Sequence, residues 1–167
     1  GFSLYGHGWA IPAVRSGHLG RIEKRINEWM SRAFPGRKPF PSYRGKVHTK
    51  SEVLDRARFC IAYENSRGSP GYLTEKIFDC FTSGCVPVYI GAPGWQQVIP
   101  ADCCIDGDAF AQPRELIGFL NGVTEQQFES YQQAMRDFLA QPSTQRFTNE
   151  HWCRVLVDRI LADLSPA

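Results

Sequence analysis

Three changes of pattern between residues 58 and 90 constrain this chain most. Residues 58–63 (Arg-Phe-Cys-Ile-Ala-Tyr) are apolar and carry no helical period, which reads as a buried strand. Residues 64–71 are polar and hold Gly68, Pro70 and Gly71, the composition of a loop. Residues 73–83 then follow a helical pattern, and Gly84 is a natural stop for that helix. Residues 86–90 (Val-Pro-Val-Tyr-Ile) form a second buried strand, in which Pro87 suits a strand end better than a strand centre. Strand, loop, helix and strand make a βαβ unit. Such units build parallel sheets with right-handed crossovers, so the expected class is α/β.

The flanking sequence fits around that unit. Residues 2–5 predict a short strand running into Gly6 and Gly8, with a loop over 9–17. Leu19, Ile22, Ile26, Trp29, Met30 and Phe34 recur at three- and four-residue steps and predict a helix that ends at Pro35-Gly36. A basic loop over 35–47 holds Arg37, Lys38, Arg44 and Lys46. Thr49-Lys-Ser-Glu52 matches a capping box, predicting a short helix over 51–57. Cys103-Cys-Ile105 reads as a short strand, followed by helices near 113–121, 124–140 and 147–163 that pack on the sheet.

At 167 residues, 43% hydrophobic and 22% charged, the composition is that of a folded chain rather than a disordered one. No stretch approaches the roughly 18 apolar residues that a membrane-crossing helix requires. The first residues show no signal-peptide pattern and no initiator Met, as expected of a processed product, an expressed piece or a fragment. The net charge of +2 conceals an asymmetry. Residues 1–58 carry 12 Lys/Arg and 4 Asp/Glu, whereas residues 59–167 carry 7 and 13. A basic half is either an anion-binding surface or a chance bias of a solvated one. The six cysteines include no Cys-x-x-Cys pair and no zinc spacing with histidines. Cys60, Cys80 and Cys85 sit in apolar segments as small hydrophobes, so reduced thiols in a cytoplasmic setting are expected, with disulfides or metal as the alternative. His7, His18, His48 and His151 show no ligand spacing and read as structural or surface residues.

In an open α/β sheet, ligands bind beyond the carboxyl ends of the strands. The loop over 64–71 and the helix start at Tyr72-Leu-Thr-Glu-Lys76 therefore mark the expected site. A helix N-terminus presents N–H groups and partial positive charge, and Lys76 adds a full charge there, a combination that favours phosphate. The plainer reading of Lys76 is a surface lysine. Glu75 either complements the dipole or accepts bonds from sugar hydroxyls. Asn65 either caps the loop or bonds a base edge. Glu64 is expected to cap or brace the loop, and Asp79, one turn after Glu75, reads as a solvated helix carboxylate. Neither is assigned as a catalytic base.

Phe59-Cys-Ile-Ala-Tyr-Glu-Asn-Ser66, Gly71-Tyr-Leu-Thr-Glu-Lys-Ile-Phe78 and Gly84-Cys-Val-Pro-Val-Tyr-Ile-Gly-Ala-Pro93 resemble, in order and spacing, the donor-binding region of the α1,3-fucosyltransferase family, glycosyltransferase family 10. Ile99-Pro-Ala-Asp-Cys-Cys-Ile-Asp106 is similar to the stretch that follows in that family. Leu4-Tyr-Gly6 and Tyr43-Arg-Gly-Lys-Val47 are similar to weaker upstream elements.

The resemblance implies one Rossmann-like domain with a parallel sheet, equivalent to the C-terminal half of a two-domain GT-B enzyme. It implies inverting transfer of fucose from GDP-fucose to a sugar hydroxyl, with no metal or other cofactor. Lys76 then meets the donor diphosphate and Glu75 the ribose or fucose hydroxyls. Tyr72, Asn65 and Thr74 line the donor pocket. The family's general base belongs to an acceptor domain with no counterpart in residues 1–167. Its donor-binding arginine lies on a helix that would precede Gly1, and Arg44 is the residue chosen to stand in for it. The expected whole is a donor domain lacking its first strand and helix, inactive or weak alone. An open sheet edge or apolar patch on it would suit a homodimer. The family's animal Cys-x-x-Cys segment is absent, which favours a bacterial-type cytoplasmic protein, membrane-peripheral in a full-length enzyme. The alternative is a stand-alone nucleotide-binding module, or one completed by a partner chain. A nucleic-acid binder using Trp9, Trp29, Phe40 and Tyr43 among the basic residues is disfavoured, because Trp29 falls on the apolar helix stripe expected to be core and no nucleic-acid motif is present.

Overall fold

The computed structural model describes residues 1–6, 14–34 and 40–164, which fall into two units, Gly1–Glu52 and Val53–Ala167. In the first unit a short strand β1 (Leu4–Tyr5) pairs in parallel with β2 (Tyr43–Gly45). The Tyr43 hydroxyl donates to the Gly6 carbonyl at 3.1 Å and helps close this pair. Helix α1 (His18–Ala33) forms where the periodicity places it. Its apolar stripe does not become core, however. Leu19, Ile22, Ile26 and Phe34 are exposed, and Trp29, expected to be buried, is 64% exposed. Periodicity dictates which residues share a helix face but not whether a partner covers that face. The short helix predicted over 51–57 is α2 (Ser51–Leu54), prolonged by turns in which Arg56 donates to Val53 and Ala57 to Leu54.

The second unit is organised around a parallel three-stranded sheet in the order β3 (Phe59–Tyr63), β4 (Val86–Ile90), β5 (Ile105–Asp106). Strand β4 is central and buried from Val86 to Tyr89, as a strand covered on both faces must be. Pro87 sits opposite Cys60 in this central strand, not at a sheet edge. Having no N–H, it gives the ladder no donor at that position, and its place beside the strand start limits the loss. The expected strand over 103–105 begins two residues late. Cys103 donates to Pro100 in a tight turn (Ala101–Cys103), and the ladder resumes only at Ile105.

Helix α3 (Glu75–Ser83) crosses from β3 to β4 and buries Ile77, Cys80 and Phe81. Gly84 ends it in the left-handed conformation (φ 68°) that a Cβ disfavours. Cys85 then donates back to the Cys80 carbonyl at 3.0 Å, which satisfies an end-of-helix acceptor. Helices α4 (Pro113–Gly122) and α5 (Glu125–Leu139) add Leu116, Phe128, Met135 and Phe138 to the core. Edge-to-face ring pairs join Phe81 to Phe138 and Phe59 to Phe128. Helix α6 (Asn149–Leu164) buries none of its residues, contrary to the expectation that all the C-terminal helices pack on the sheet.

None of the six cysteines is disulfide-bonded. Burial pushes the Cys103 and Cys104 thiols up to about 12, so both stay protonated and unreactive near neutral pH. Among the described residues no helix is long and apolar enough to cross a membrane.

Urea unfolding separates the buried from the exposed apolar residues. Phe81→Ala is expected to lose about 3–5 kcal/mol of stability. Trp29→Ala should change it by no more than about 0.5 kcal/mol, and a larger loss would show that the α1 stripe is covered in solution.

Candidate functional site

The carboxyl end of β3 turns directly into the polar loop. The Glu64 N–H donates to the Ile90 carbonyl at 2.8 Å, extending the β3–β4 ladder by one residue. That bond directs the Glu64 side chain into the protein, where it is fully buried. Its carboxylate collects donors from three segments. Oε1 accepts from the Thr74 N–H (2.9 Å), the Thr74 hydroxyl (2.9 Å) and the Tyr89 hydroxyl (3.1 Å). Oε2 accepts from the Thr74 hydroxyl (2.8 Å) and from Lys76 Nζ (3.1 Å).

Burial pulls the Glu64 carboxyl upward, but the bonds from Thr74, Lys76 and Tyr89 outweigh it and hold the group below its ordinary value. Burial and the adjacent Glu64 charge raise Tyr89, which keeps its hydroxyl a donor. The brace expected of Glu64 is thus present, and Thr74, extended at φ −113° and ψ −178°, stands just outside α3, which starts at Glu75 rather than 73. The Thr74 backbone donor and hydroxyl are both turned back to Glu64.

Lys76 lies in the first turn of α3. Its ammonium also donates to Asn65 Oδ1 at 3.1 Å, so two of its three N–H bonds are engaged, one by each residue. Asn65, Thr74 and Lys76 are therefore brought together, with Glu75 exposed beside them at the first position of α3. Tyr72 borders the group from a turn in which its N–H donates to Ser69 at 3.1 Å. Arg44 is exposed on β2, in the first unit, whereas the other five residues belong to the second. Arg37, Lys38, His7 and Trp9 lie outside the described residues. The polar loop is tied to the turn after β5 by an ion pair between Arg67 and Asp108 at 2.5 Å.

A cleft of about 490 Å³ adjoins this loop. Tyr72 forms one wall, Trp95 after β4 another, and Arg146, His151 and Trp152 a third. Lys76 and Glu64 do not line it. Arg146 and Trp152 belong to no motif in the sequence, and His151 reads there as a structural or surface residue. Their shared wall arises from the turn Pro142–Phe147 and the start of α6, where the His151 N–H caps onto the Thr148 hydroxyl at 3.2 Å. A Thr followed three residues later by a cleft residue is too common a pattern to have marked it. Among the described residues no cluster of three or more His, Cys, Asp or Glu could hold a metal ion.

Replacing Glu64 by Ala leaves Lys76 and the buried Tyr89 hydroxyl without their carboxylate, at an expected cost of about 3–5 kcal/mol. Because the native value is lowered, the carboxylate stabilises the fold above its unfolded pKa of roughly 4.3. That contribution disappears as pH falls through the lower native value. Urea midpoints measured from pH 7 down to 3 should therefore drop more steeply for the wild type than for Glu64→Gln.

Residues 27–160 match the model of the C-terminal part of glycosyltransferase family 10 (fucosyltransferase). The human alpha-(1,3)-fucosyltransferase 7 is 35% identical over 77 residues, covering 44% of this chain and 22% of that protein. The Arabidopsis thaliana alpha-(1,4)-fucosyltransferase is 38% identical over 68 residues (41% and 17%). The mouse 4-galactosyl-N-acetylglucosaminide 3-alpha-L-fucosyltransferase 9 is 32% identical over 105 residues (60% and 28%). Among solved structures, an alpha1,3-fucosyltransferase with GDP-fucose superposes with a TM-score of 0.44 at 21% identity, over 84% of this chain and 38% of that one. The chain thus matches less than a third of the length of these curated relatives. With the family model covering most of its length, the chain belongs to glycosyltransferase family 10, the fucosyltransferases, and corresponds to that family's C-terminal part.

Proposed function

We propose that this chain is the donor-binding part of an inverting fucosyltransferase that takes GDP-fucose. The observation that carries the reading is the Lys76 ammonium in the first turn of α3, held by Glu64 and Asn65 with one N–H left for a ligand. A departing nucleoside diphosphate gains negative charge as its bond to the sugar breaks. Lys76 and the N-terminal dipole of α3 stabilise that charge at the point where it develops. Glu75 and Asn65 are the polar side chains beside it that suit hydroxyl and base-edge contacts, and Tyr72 supplies a flat apolar face at the loop end. The relatives are named as fucosyltransferases, which supports fucose as the transferred sugar.

The charge on the leaving group is met in this reading by side chain and backbone, with no metal required. The base that deprotonates the acceptor sugar's hydroxyl is not assigned to any residue of this chain. A cytoplasmic setting with reduced thiols is part of the same proposal.

Calorimetric titration of the purified chain with GDP, GDP-fucose and UDP, with and without magnesium, tests this. Binding selective for GDP and GDP-fucose, and indifferent to magnesium, is expected. Lys76→Ala should weaken it by about 1.5–3 kcal/mol, the range of a charged hydrogen bond, or roughly 10- to 150-fold in Kd. Unchanged affinity in that variant removes Lys76 from the site, and no binding by the wild type overturns the donor reading.

A further inference from the structure

Tyr89 occupies the centre of the sheet, yet it carries a hydroxyl where a phenylalanine would fill the same space. Its side chain is fully buried. The ring meets Trp95 edge-on, with centroids 5.1 Å apart. Gly91 is what leaves it room, since a Cβ there would lie 2.5–2.8 Å from the ring edge and hydroxyl. A phenol buried this deeply is tolerated only if its hydroxyl is bonded. The bond it makes, 3.1 Å to Glu64 Oε1, joins the carboxyl end of β4 to the loop that leads into α3.

We propose that Tyr89 is a positioning residue of the donor site, setting the place of the Lys76 ammonium through Glu64. The proposal rests on the donor reading above. Tyr89 and the Thr74 N–H both donate to Oε1, one from the sheet and one from the helix start, so the carboxylate cannot rotate about its own axis. Oε2 is thereby directed at Lys76. Since Glu64 is fully buried, an arriving anion cannot displace it and must bind on the outer side of the ammonium. Lys76, 27% exposed at its side chain, is then presented with two N–H bonds anchored and the third outward. Ordering a lysine before the ligand arrives reduces the rotamer entropy lost on binding.

The test uses Tyr89→Phe, which keeps the ring, and Glu64→Gln, which keeps the shape and removes the charge. Two quantities are measured on the whole chain. One is the affinity for GDP. The other is the rate at which an amine-acylating reagent labels Lys76, read by mass spectrometry against Lys24, Lys46 and Lys50 in the same sample. Near-UV circular dichroism of the Tyr89–Trp95 contact establishes that each variant is folded.

Tyr89→Phe is expected to weaken GDP about 3- to 10-fold and to raise Lys76 labelling at least threefold relative to the other lysines, with Glu64→Gln changing both in the same direction. A role confined to stability would lower the melting temperature and leave the labelling ratio unmoved. Unchanged labelling in Tyr89→Phe overturns the proposal, as does tighter GDP binding by Glu64→Gln, which would make the carboxylate a competitor of the ligand. If the wild type binds no GDP, the donor reading fails, and the labelling ratio alone decides whether Tyr89 positions Lys76.

Discussion

A carboxylate removed from water beside a helix start governs the arrangement of the second unit. The Glu64 side chain has no contact with solvent, and an unpaired charge in that position would be several kcal/mol unfavourable. It is retained because backbone, hydroxyl, phenol and ammonium donors converge on its two oxygens. Each of those donors is in turn fixed by the bond it makes. Strand β3 delivers the carboxylate, β4 the phenol, the end of the loop the Thr74 donors, and the first turn of α3 the ammonium. The end of the sheet and the start of the helix are therefore one bonded structure rather than two elements in contact.

This arrangement reconciles two demands on the α3 N-terminus. Its backbone donors and dipole attract anions, and an internal anion already takes part of that capacity. Thr74 is committed inward, whereas Lys76 is shared between Glu64 and the outer face. The positive charge a phosphate would meet is consequently ordered and partly balanced. Such a site favours a ligand whose charge grows during reaction, because the response of a preorganised dipole and cation increases with that charge. The adjoining cleft, with Tyr72, Trp95 and Trp152 on its walls and Arg146 and His151 beside them, continues the surface away from the lysine.

Much of the second unit was legible in the residue order. The runs 59–63 and 86–90, the glycine at 84 and the polar loop between them lead to the observed βαβ unit, and the linked motifs lead to the family. The helix start was less legible. The helical run reads as starting at 73, and only a partner ten positions before Thr74 shows where that residue's donors point. The turn at Pro100 likewise took the Cys103 donor that a strand would have used. Six site residues were chosen from the motifs. Thr74 and Lys76 are bonded to Glu64 and Asn65 to Lys76, Glu75 and Tyr72 flank them along the chain, and Arg44 belongs to the other unit.

What the amino-acid order determined by itself is local: strand against helix, the left-handed stop at Gly84, and the charge of the residues at the head of α3. These follow from side-chain period, backbone sterics and helix electrostatics, which act over a few residues. Tertiary structure decided the rest. It turned Glu64 inward to a tyrosine 25 positions away and left the α1 stripe and the whole of α6 exposed. It also gathered Tyr72, Trp95 and Trp152 around one cleft. Burial is a property of what packs against a residue, and no periodicity along the chain contains it.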